Sequence, residues 1–405
     1  MREVVIVAAA RTPIGKYGGA LRYVRPDDMS ALIMRALVDR AKLDPLDIED
    51  VMWGCSNQGG EDNRNVARMA VLAAGFPVDV PGTTLNRLCG SGLQAVNSAA
   101  QAIAADCGDI FIGGGVESMT RAPYVMLKPE TEFARAPQLY DTTLGARMYN
   151  PKLTEAGWPP ISMGETAENV AERYRISRGE QDAFALASQH KTGVAQKSGA
   201  FDEEMVGVPL PSRNGKAAKG AAPDVFSIDE HPRVDVTLEQ LAKLKPAFRE
   251  GGSVTAGNSS GINDGAAGVI LMSADEAKRR GVRPLARIIT SAVAGVDPNC
   301  MGLGPIPATQ KALSRAGLRV DDLDVIELNE AFAAQALACA RELELPMERI
   351  NVNGGAIALG HPLGCSGARI LVTLLHAMQA RGAKRGLATM CIGVGQGIAT
   401  IVERV

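Results

Sequence analysis

Cys89 stands in Asn86-Arg87-Leu88-Cys89-Gly90-Ser91-Gly92, between an apolar run and an Ala-rich stretch. Thr83–Leu88 reads as a strand and Leu93–Ala105 as a helix, so this thiol falls at a strand-to-helix turn. Gly90 and Gly92 permit a sharp turn and let main-chain N–H groups approach a ligand. The positive end of the helix macrodipole stabilises a thiolate and lowers the pKa below its free value of about 8.5. On this reading Cys89 is an exposed, activated nucleophile. The same surroundings suit an inert buried cysteine, and the choice rests on residues far downstream.

One of only four histidines, His361, sits in the Gly-rich run Asn353-Gly-Gly-Ala-Ile-Ala-Leu-Gly-His361-Pro-Leu-Gly-Cys365-Ser-Gly-Ala-Arg369. The others have duller settings: His190 and His376 lie on expected helices and His231 in a polar loop. A second thiol, Cys391, ends an apolar run that opens into alternating glycines at Gly393, Gly395 and Gly397. Asn329 ends the apolar run Val325–Leu328 just before a helical stretch, where its simplest role is an N-cap. Two strand-end thiols, one Gly-flanked imidazole and one strand-end carboxamide together form the reagents of nucleophilic acyl transfer. The remaining cysteines, Cys55, Cys107, Cys300, Cys339 and Cys365, read as structural.

Positioning such residues requires strands and helices that repeat. At an offset of 275 residues, Cys89-Gly-Ser-Gly falls on Gly364-Cys-Ser-Gly, Ile48–Val51 on Leu323–Ile326, and Val116 on Cys391. A fixed offset argues for two copies of one supersecondary unit, and strands alternating with small-residue helices argue for α/β layers. The expectation is two similar α/β halves, residues 1–120 with 251–278 and residues 279–405, around an inserted loop domain at 121–250. That insertion carries two capping starts, Ser162-x-x-Glu165 and Ser177-x-x-Glu180, and a charged helical run to about Ser198.

Composition narrows the class. The 405 residues are 46% hydrophobic and 22% charged, as in a well-cored soluble protein of two or three domains. The net charge of −2 gives no reason to expect a nucleic-acid partner or an anionic membrane surface. No apolar run approaches the roughly 20 residues that span a bilayer. Val4–Ala10 is too short for a signal segment and reads as a first strand. Seven cysteines, an odd number without a secretory signal, favour reduced thiols in the cytoplasm. No Cys-x-x-Cys or His-x-x-x-His spacing suggests a metal.

The chain resembles the thiolase family. The matching blocks are Asn86-Arg-Leu-Cys89-Gly-Ser-Gly, Gly113-Gly-Gly-Val-Glu-Ser-Met, Met163-Gly-Glu-Thr-Ala-Glu-Asn and Thr255-Ala-Gly-Asn-Ser-Ser260-Gly-Ile-Asn-Asp-Gly. Asn329-Glu-Ala-Phe332, Gly360-His-Pro-Leu-Gly-Cys-Ser-Gly-Ala-Arg and Cys391-Ile-Gly393-Val-Gly-Gln-Gly complete them, in the family's order. The resemblance implies the thiolase fold and a ping-pong exchange between thioesters. Cys89 would take the acyl group, His361 its proton, and Cys391 would act as the base of the second step. One oxyanion site would use His361 and, through a held water, Asn329; the other would use the N–H groups of Cys89 and Gly393. Ser260 would contact the pantetheine of coenzyme A, with Phe248, Met163 and Phe332 lining its slot and Arg233 near the nucleotide. Coenzyme A would be a co-substrate, no cofactor would be permanently bound, and the loop domain would hold the CoA portion. A homodimer or homotetramer is implied.

Substrate choice rests on smaller signs. Biosynthetic acetoacetyl-CoA thiolases commonly carry His-Met-Gly where this chain has Ser162-Met163-Gly164. Gly59–Arg68 and Tyr140–Gly145 look like degradative 3-ketoacyl-CoA thiolases, including the β-ketoadipyl-CoA type, although Ala146 stands where that type usually has an aromatic. The leading expectation is thiolysis of 3-ketoacyl-CoAs of about six carbons or more, since each buried methylene adds roughly 0.8 kcal/mol. The alternatives are biosynthetic condensation of two acetyl-CoA on the same site and a non-catalytic thiolase-fold carrier. A ketoacyl-synthase type would show His in place of Cys391.

Overall fold

The computed structural model describes residues 1–129, 131–133, 135–211 and 224–405, so 212–223 of the expected loop domain lie outside the described residues. Nine strands carry the main sheet: Val4–Arg11 (β1), Asp50–Gly54 (β2), Gly82–Leu85 (β3), Ile110–Ser118 (β4), Asn263–Ser273 (β5), Ala286–Gly295 (β6), Val325–Leu328 (β7), Arg385–Ile392 (β8) and Gln396–Glu403 (β9). Their order is β7-β8-β9-β6-β1-β5-β4-β2-β3, with Gly15–Lys16 added beside β5. Outward from the centre, β1·β5 and β5·β4 are antiparallel, then β4·β2 and β2·β3 parallel. On the other side β6·β9 and β9·β8 are antiparallel and β8·β7 parallel, and an Ile326–Ile350 bridge stands where a further parallel strand would be. The two runs meet through Val5 opposite Arg287 and Ile6 opposite Ala286. Offset by 275 residues, β4 begins on the first residue of β8 and β2 on that of β7, so the internal likeness of the sequence is a likeness of topology.

Alternation along the strands sorts the layers. In β4, Ile110 and Ile112 join an outer core with helix α1 (Pro26–Ala41), while Phe111 faces an inner core. In β9, Ile398 and Val402 face that inner core, whereas Ala399 and Ile401 face a third core. The inner core is filled by Ser91–Ala104 (α2) and Leu363–Arg381 (α7), sandwiched between the two halves of the sheet. Of the intervening helices, Met163–Tyr174 (α3) and Arg178–Lys197 (α4) belong to the insertion. Pro305–Ala316 (α5) and Ala333–Glu342 (α6) cover the outer face of the second half. Every residue of α7 from Gly364 to Leu375 is buried, which explains a helix without a polar face.

Such a sandwich leaves little room between α2 and α7. A Cβ on Gly92 would stand 2.7 Å from the Gly364 carbonyl oxygen, and one on Gly367 would stand 2.5 Å from the Leu93 nitrogen. These two glycines are repeat-equivalent, and the backbones touch because neither has a side chain. Capping behaves as the composition suggests: Ser162 Oγ accepts the Glu165 N–H to start α3, and Ser177 and Glu180 form a reciprocal box at α4. Two local expectations need correction. The strand before Cys89 stops at Leu85 because Asn86 Oδ1 takes the Leu88 N–H, turning the chain. Asn329 is no N-cap: its own N–H donates to Thr389 O beside β8, and the next helix, α6, is capped at Phe332.

Alanine normally favours a helix over glycine by about 1 kcal/mol, but at Gly367 the new methyl meets backbone that cannot yield. Gly367→Ala should therefore lower stability by roughly 1–3 kcal/mol, read as a fall in the urea midpoint. An unchanged or raised midpoint would show that α2 and α7 can move apart.

Candidate active site

Both inner helices start at the same end of the sandwich, and the strand ends carrying Asn329 and Cys391 close over them. The turn holding Cys89 is fixed by three bonds: Leu88 N–H to Asn86 Oδ1 (2.8 Å), Arg87 N–H to Ser91 Oγ (2.9 Å) and Ser91 Oγ–H to Leu88 O (2.6 Å). Leu88 adopts φ +46°, the left-handed region that side chains with a Cβ resist. Such strain persists where the surroundings over-determine it. The Cys89 thiol is half-buried, beside the main-chain N–H groups of Gly393 and of Cys89 itself. Those donors favour a thiolate, but burial dominates and pushes the thiol up to about 11. Burial thus works against the depression expected from the helix dipole.

His361 precedes α7 and is buried, not exposed on a flexible loop. Its N–H donates to Asn263 Oδ1 at 3.0 Å, and Asn263 in turn donates to Gly15 O at 2.9 Å. Gly360, at φ +109°, has no room for a Cβ, which would lie 2.4 Å from Asn263 Cγ. His361 Nδ1 is 2.6 Å from Ser366 Oγ, which is 2.8 Å from Pro362 O. A chain of donors running Nδ1–H to Ser366 and Ser366 O–H to Pro362 leaves Nε2 with a free lone pair, the state a base needs. Burial, aided by the charge of Arg369, pushes this imidazole down to about 3, so it is neutral across the physiological range. The Asn329 carboxamide nitrogen lies 3.5 Å from Nδ1, at the long limit of a hydrogen bond, and its Oδ1 is buried without a protein partner among the described residues.

Cys391, next to last in β8, packs with Met163, Met301 and Phe332. Burial raises its thiol well above the ordinary range, and the neighbouring Cys89 raises it further. The chain then turns through Gly393, Val394 (φ +62°) and Gly395 (φ +78°). A Cβ on Gly393 would touch Leu88 and the Met163 sulfur, each at 3.5 Å. Cys89, Cys391, Gly393 and Met163 thus converge, as do His361 and Asn329. Ser260, Phe248 and Arg233 line a mainly apolar cavity of about 730 Å³ together with His231, Leu144 and Leu244. Phe332 joins cavity to thiols, its ring edge-on to Phe248 with centroids 6.1 Å apart. Residues that sequence reasoning missed are Ser366, which holds the imidazole, Asn263, which holds its backbone, and Glu117, whose carboxylate accepts the Gly364 N–H at 2.8 Å. All three lie inside motif blocks, so the signal was present without a role attached. Among the described residues no three His, Cys, Asp or Glu cluster to hold a metal, and no helix is long and apolar enough to cross a membrane.

One buried imidazole and one half-buried imidazole fix a pH dependence. His361 and His231, pushed down to about 3 and about 4, stay neutral in the fold while the unfolded chain gains protons near 6.5. The unfolded state binds more protons between these limits, so stability rises with pH across that window and is lost as pH falls through it. The urea midpoint should fall between about pH 7 and about pH 5, and His231→Asn should make that fall shallower. Equal slopes in the two proteins would rule out the His231 contribution.

Comparison with known proteins agrees with this geometry. Residues 4–275 match the family model described as thiolase, N-terminal domain, and residues 282–404 that of thiolase, C-terminal domain. The chain is 55% identical over 408 residues to a 3-oxoadipyl-CoA/3-oxo-5,6-dehydrosuberyl-CoA thiolase of Escherichia coli (strain K12), covering 100% of each. The crystal structure of Bacillus anthracis acetyl-CoA acetyltransferase superposes with a TM-score of 0.93 at 45% identity, covering 100% of this chain and 99% of that one. Human mitochondrial 3-ketoacyl-CoA thiolase in complex with CoA gives a TM-score of 0.91 at 41% identity, covering 100% and 98%. With both family domains matched in order along nearly the whole chain, this protein belongs to the thiolase family and is an acyl-CoA C-acyltransferase.

Proposed function

We propose that the protein cleaves 3-oxoadipyl-CoA with coenzyme A to give acetyl-CoA and succinyl-CoA, through an acyl group carried on Cys89. The observation that carries the reading is the convergence of the Cys89 sulfur with two main-chain N–H donors beside a second buried thiol. The substrate is taken from the Escherichia coli relative, identical at 55% of positions over the full length. In the first step Cys89 Sγ bonds to C3 of the substrate while its proton passes to His361 Nε2. The C2–C3 bond then breaks, its electron pair forming the acetyl-CoA enolate, which takes a proton at C2 from Cys391. In the second step Cys391, now a thiolate, removes the proton of the incoming CoA thiol, whose sulfur displaces Cys89 from the acyl carbon, and the departing Cys89 thiolate takes back the proton held by His361. In this second step the acyl group passes from one thiol to another, so the transfer is close to thermoneutral.

Desolvation makes the timing strict. Burial raises the Cys89 thiol and lowers the His361 imidazole, so both favour their neutral forms at rest. Proton transfer must accompany C–S bond formation, when charge develops on the carbonyl oxygen and the donors engage it. The apolar cavity containing Ser260, Phe248 and Arg233 supports binding of the pantetheine arm, with CoA as a co-substrate and no resident cofactor. A guanidinium such as that of Arg233 suits the nucleotide end. We place the boundaries of the two halves at 1–120 with 251–278 and at 279–405, the segment 121–250 serving CoA.

The expected setting is the cytoplasm, in keeping with seven free cysteines. The expected assembly is a homodimer or homotetramer. Supporting an assembly, the hairpin of Tyr124–Met126 and Leu139–Asp141 exposes Tyr124, Met126 and Leu139. Light scattering giving the mass of a single chain would overturn this.

Rapid-quench mass spectrometry should find a succinyl adduct on the Cys89 peptide after mixing with 3-oxoadipyl-CoA. In Cys391→Ala the steady-state rate should fall by roughly 10²- to 10⁴-fold. An adduct on Cys391 instead would reverse the two roles. The condensation reading competes for the same residues, and the comparison with Bacillus anthracis acetyl-CoA acetyltransferase keeps it in view. A higher kcat/KM for acetoacetyl-CoA than for 3-oxoadipyl-CoA would favour it.

A further inference from the structure

Arg87 stands two residues before the nucleophile and has no part in the chemistry above. Its guanidinium is half-buried and makes no carboxylate contact among the described residues. Nε donates to Gln94 Oε1 at 2.9 Å, on the first turn of α2. Nη1 donates to Gln396 Oε1 at 2.7 Å, across 309 residues of sequence, at the first residue of β9. Gln396 immediately follows the Gly393–Gly395 turn, so this one side chain spans the two loops that face each other at the thiol sulfur.

Both loops hold unfavourable backbone. Leu88 sits at φ +46° beside Arg87, and Val394 at φ +62° two residues before Gln396. A β-branched residue in the left-handed region is an outlier that relaxes unless neighbours hold it. Each loop is tied on its far side: Asn86 Nδ2 donates to Ser56 O at 2.9 Å, and the Val296 N–H to Gly395 O at 2.8 Å. The two Arg87 bonds tie the loops directly to one another. A planar guanidinium is suited to this because its donors leave at fixed angles, whereas an ammonium on a flexible stem fixes neither distance nor direction.

We propose that Arg87 is a positioning residue: by joining the nucleophile turn to the Gly393 turn through Gln94 and Gln396, it sets the spacing between the Cys89 and Gly393 N–H groups that receive the oxyanion. This rests on the reading of those two groups as the oxyanion donors and of Cys89 as the nucleophile. The clamp touches neither the cavity nor the reacting atoms. Its loss therefore slows acylation while leaving substrate binding in place.

The test follows acyl transfer to Cys89 in single turnover, with 3-oxoadipyl-CoA and the full-length chain, beside steady-state kcat and KM. Arg87→Ala should slow acylation roughly tenfold to a hundredfold, as misplaced donors do, with KM changed less than about threefold. Gln396→Met, which keeps length and loses the acceptor, should match it. The double variant should be no worse than the worse single one by more than about twofold, because both changes break the same Arg87–Gln396 bond. Gln396→Glu retains an acceptor for the guanidinium and should stay within about threefold of the parent. Arg87→Ala acylating at the parent rate, or Gln396→Glu failing as badly as Gln396→Met, would overturn the clamp. Cys89→Ala, run in parallel, separates the readings: an adduct that persists there removes the nucleophile assignment and the clamp with it. If Arg87→Ala does not fold, the Gln396 pair decides alone.

Discussion

The contact between α2 and α7 governs everything built around it. Gly92 and Gly367 let two backbones touch where any methyl would meet main-chain atoms. That approach draws the two halves of the sheet onto one inner core and brings both helix N-termini to one end. Cys89 leads into one helix and His361 into the other, while Asn329 and Cys391 lie at the ends of adjacent strands. The duplicated frame thus delivers unlike residues to matching places: the position of Val116 in one half holds Cys391 in the other. One half contributes the nucleophile, and the other contributes both proton carriers.

Enclosure then decides how those residues behave. Desolvation raises the Cys89 thiol and lowers the His361 imidazole, so both favour their neutral forms at rest. The donors act on the carbonyl oxygen as its charge appears.

Much of this was legible in the sequence, and the remainder was hidden for a definable reason. The strand and helix alternation, the offset of 275 residues and the motif residues were all local or periodic signals. Burial was not. Gly-rich surroundings suggested open loops around Cys89 and His361, whereas Gly92 and Gly364 are pressed by other backbone and Gly360 by the Asn263 side chain. Asn329 looked like a helix cap because its type and position fit one. Only the pairing of its N–H with Thr389 shows that it still bonds to β8 one residue past the end of β7. Ser366 and Asn263 could not be given roles because their partners depend on rotamers and on chain segments far away in sequence. Pocket residues fared better: Ser260, Phe248 and Arg233 line one cavity. Phe332 sits where that cavity meets the thiols.

The pairing of β1 with β5 has a consequence for how the chain is made. Val4 lies opposite Ser273, and β1 is also the strand that joins the two halves. On synthesis Val4 thus meets its neighbour only after almost 270 further residues are made, at 5–20 residues per second a delay of roughly 15 to 50 s. During that time the apolar Val4–Ala10 segment has no strand to pair with, and its partner on the other side, β6, is translated later still. Long-range pairing of this kind is slow and leaves sheet edges open to other chains. A nascent thiolase of this design depends on keeping β1 solvated or chaperoned until β5 has been made.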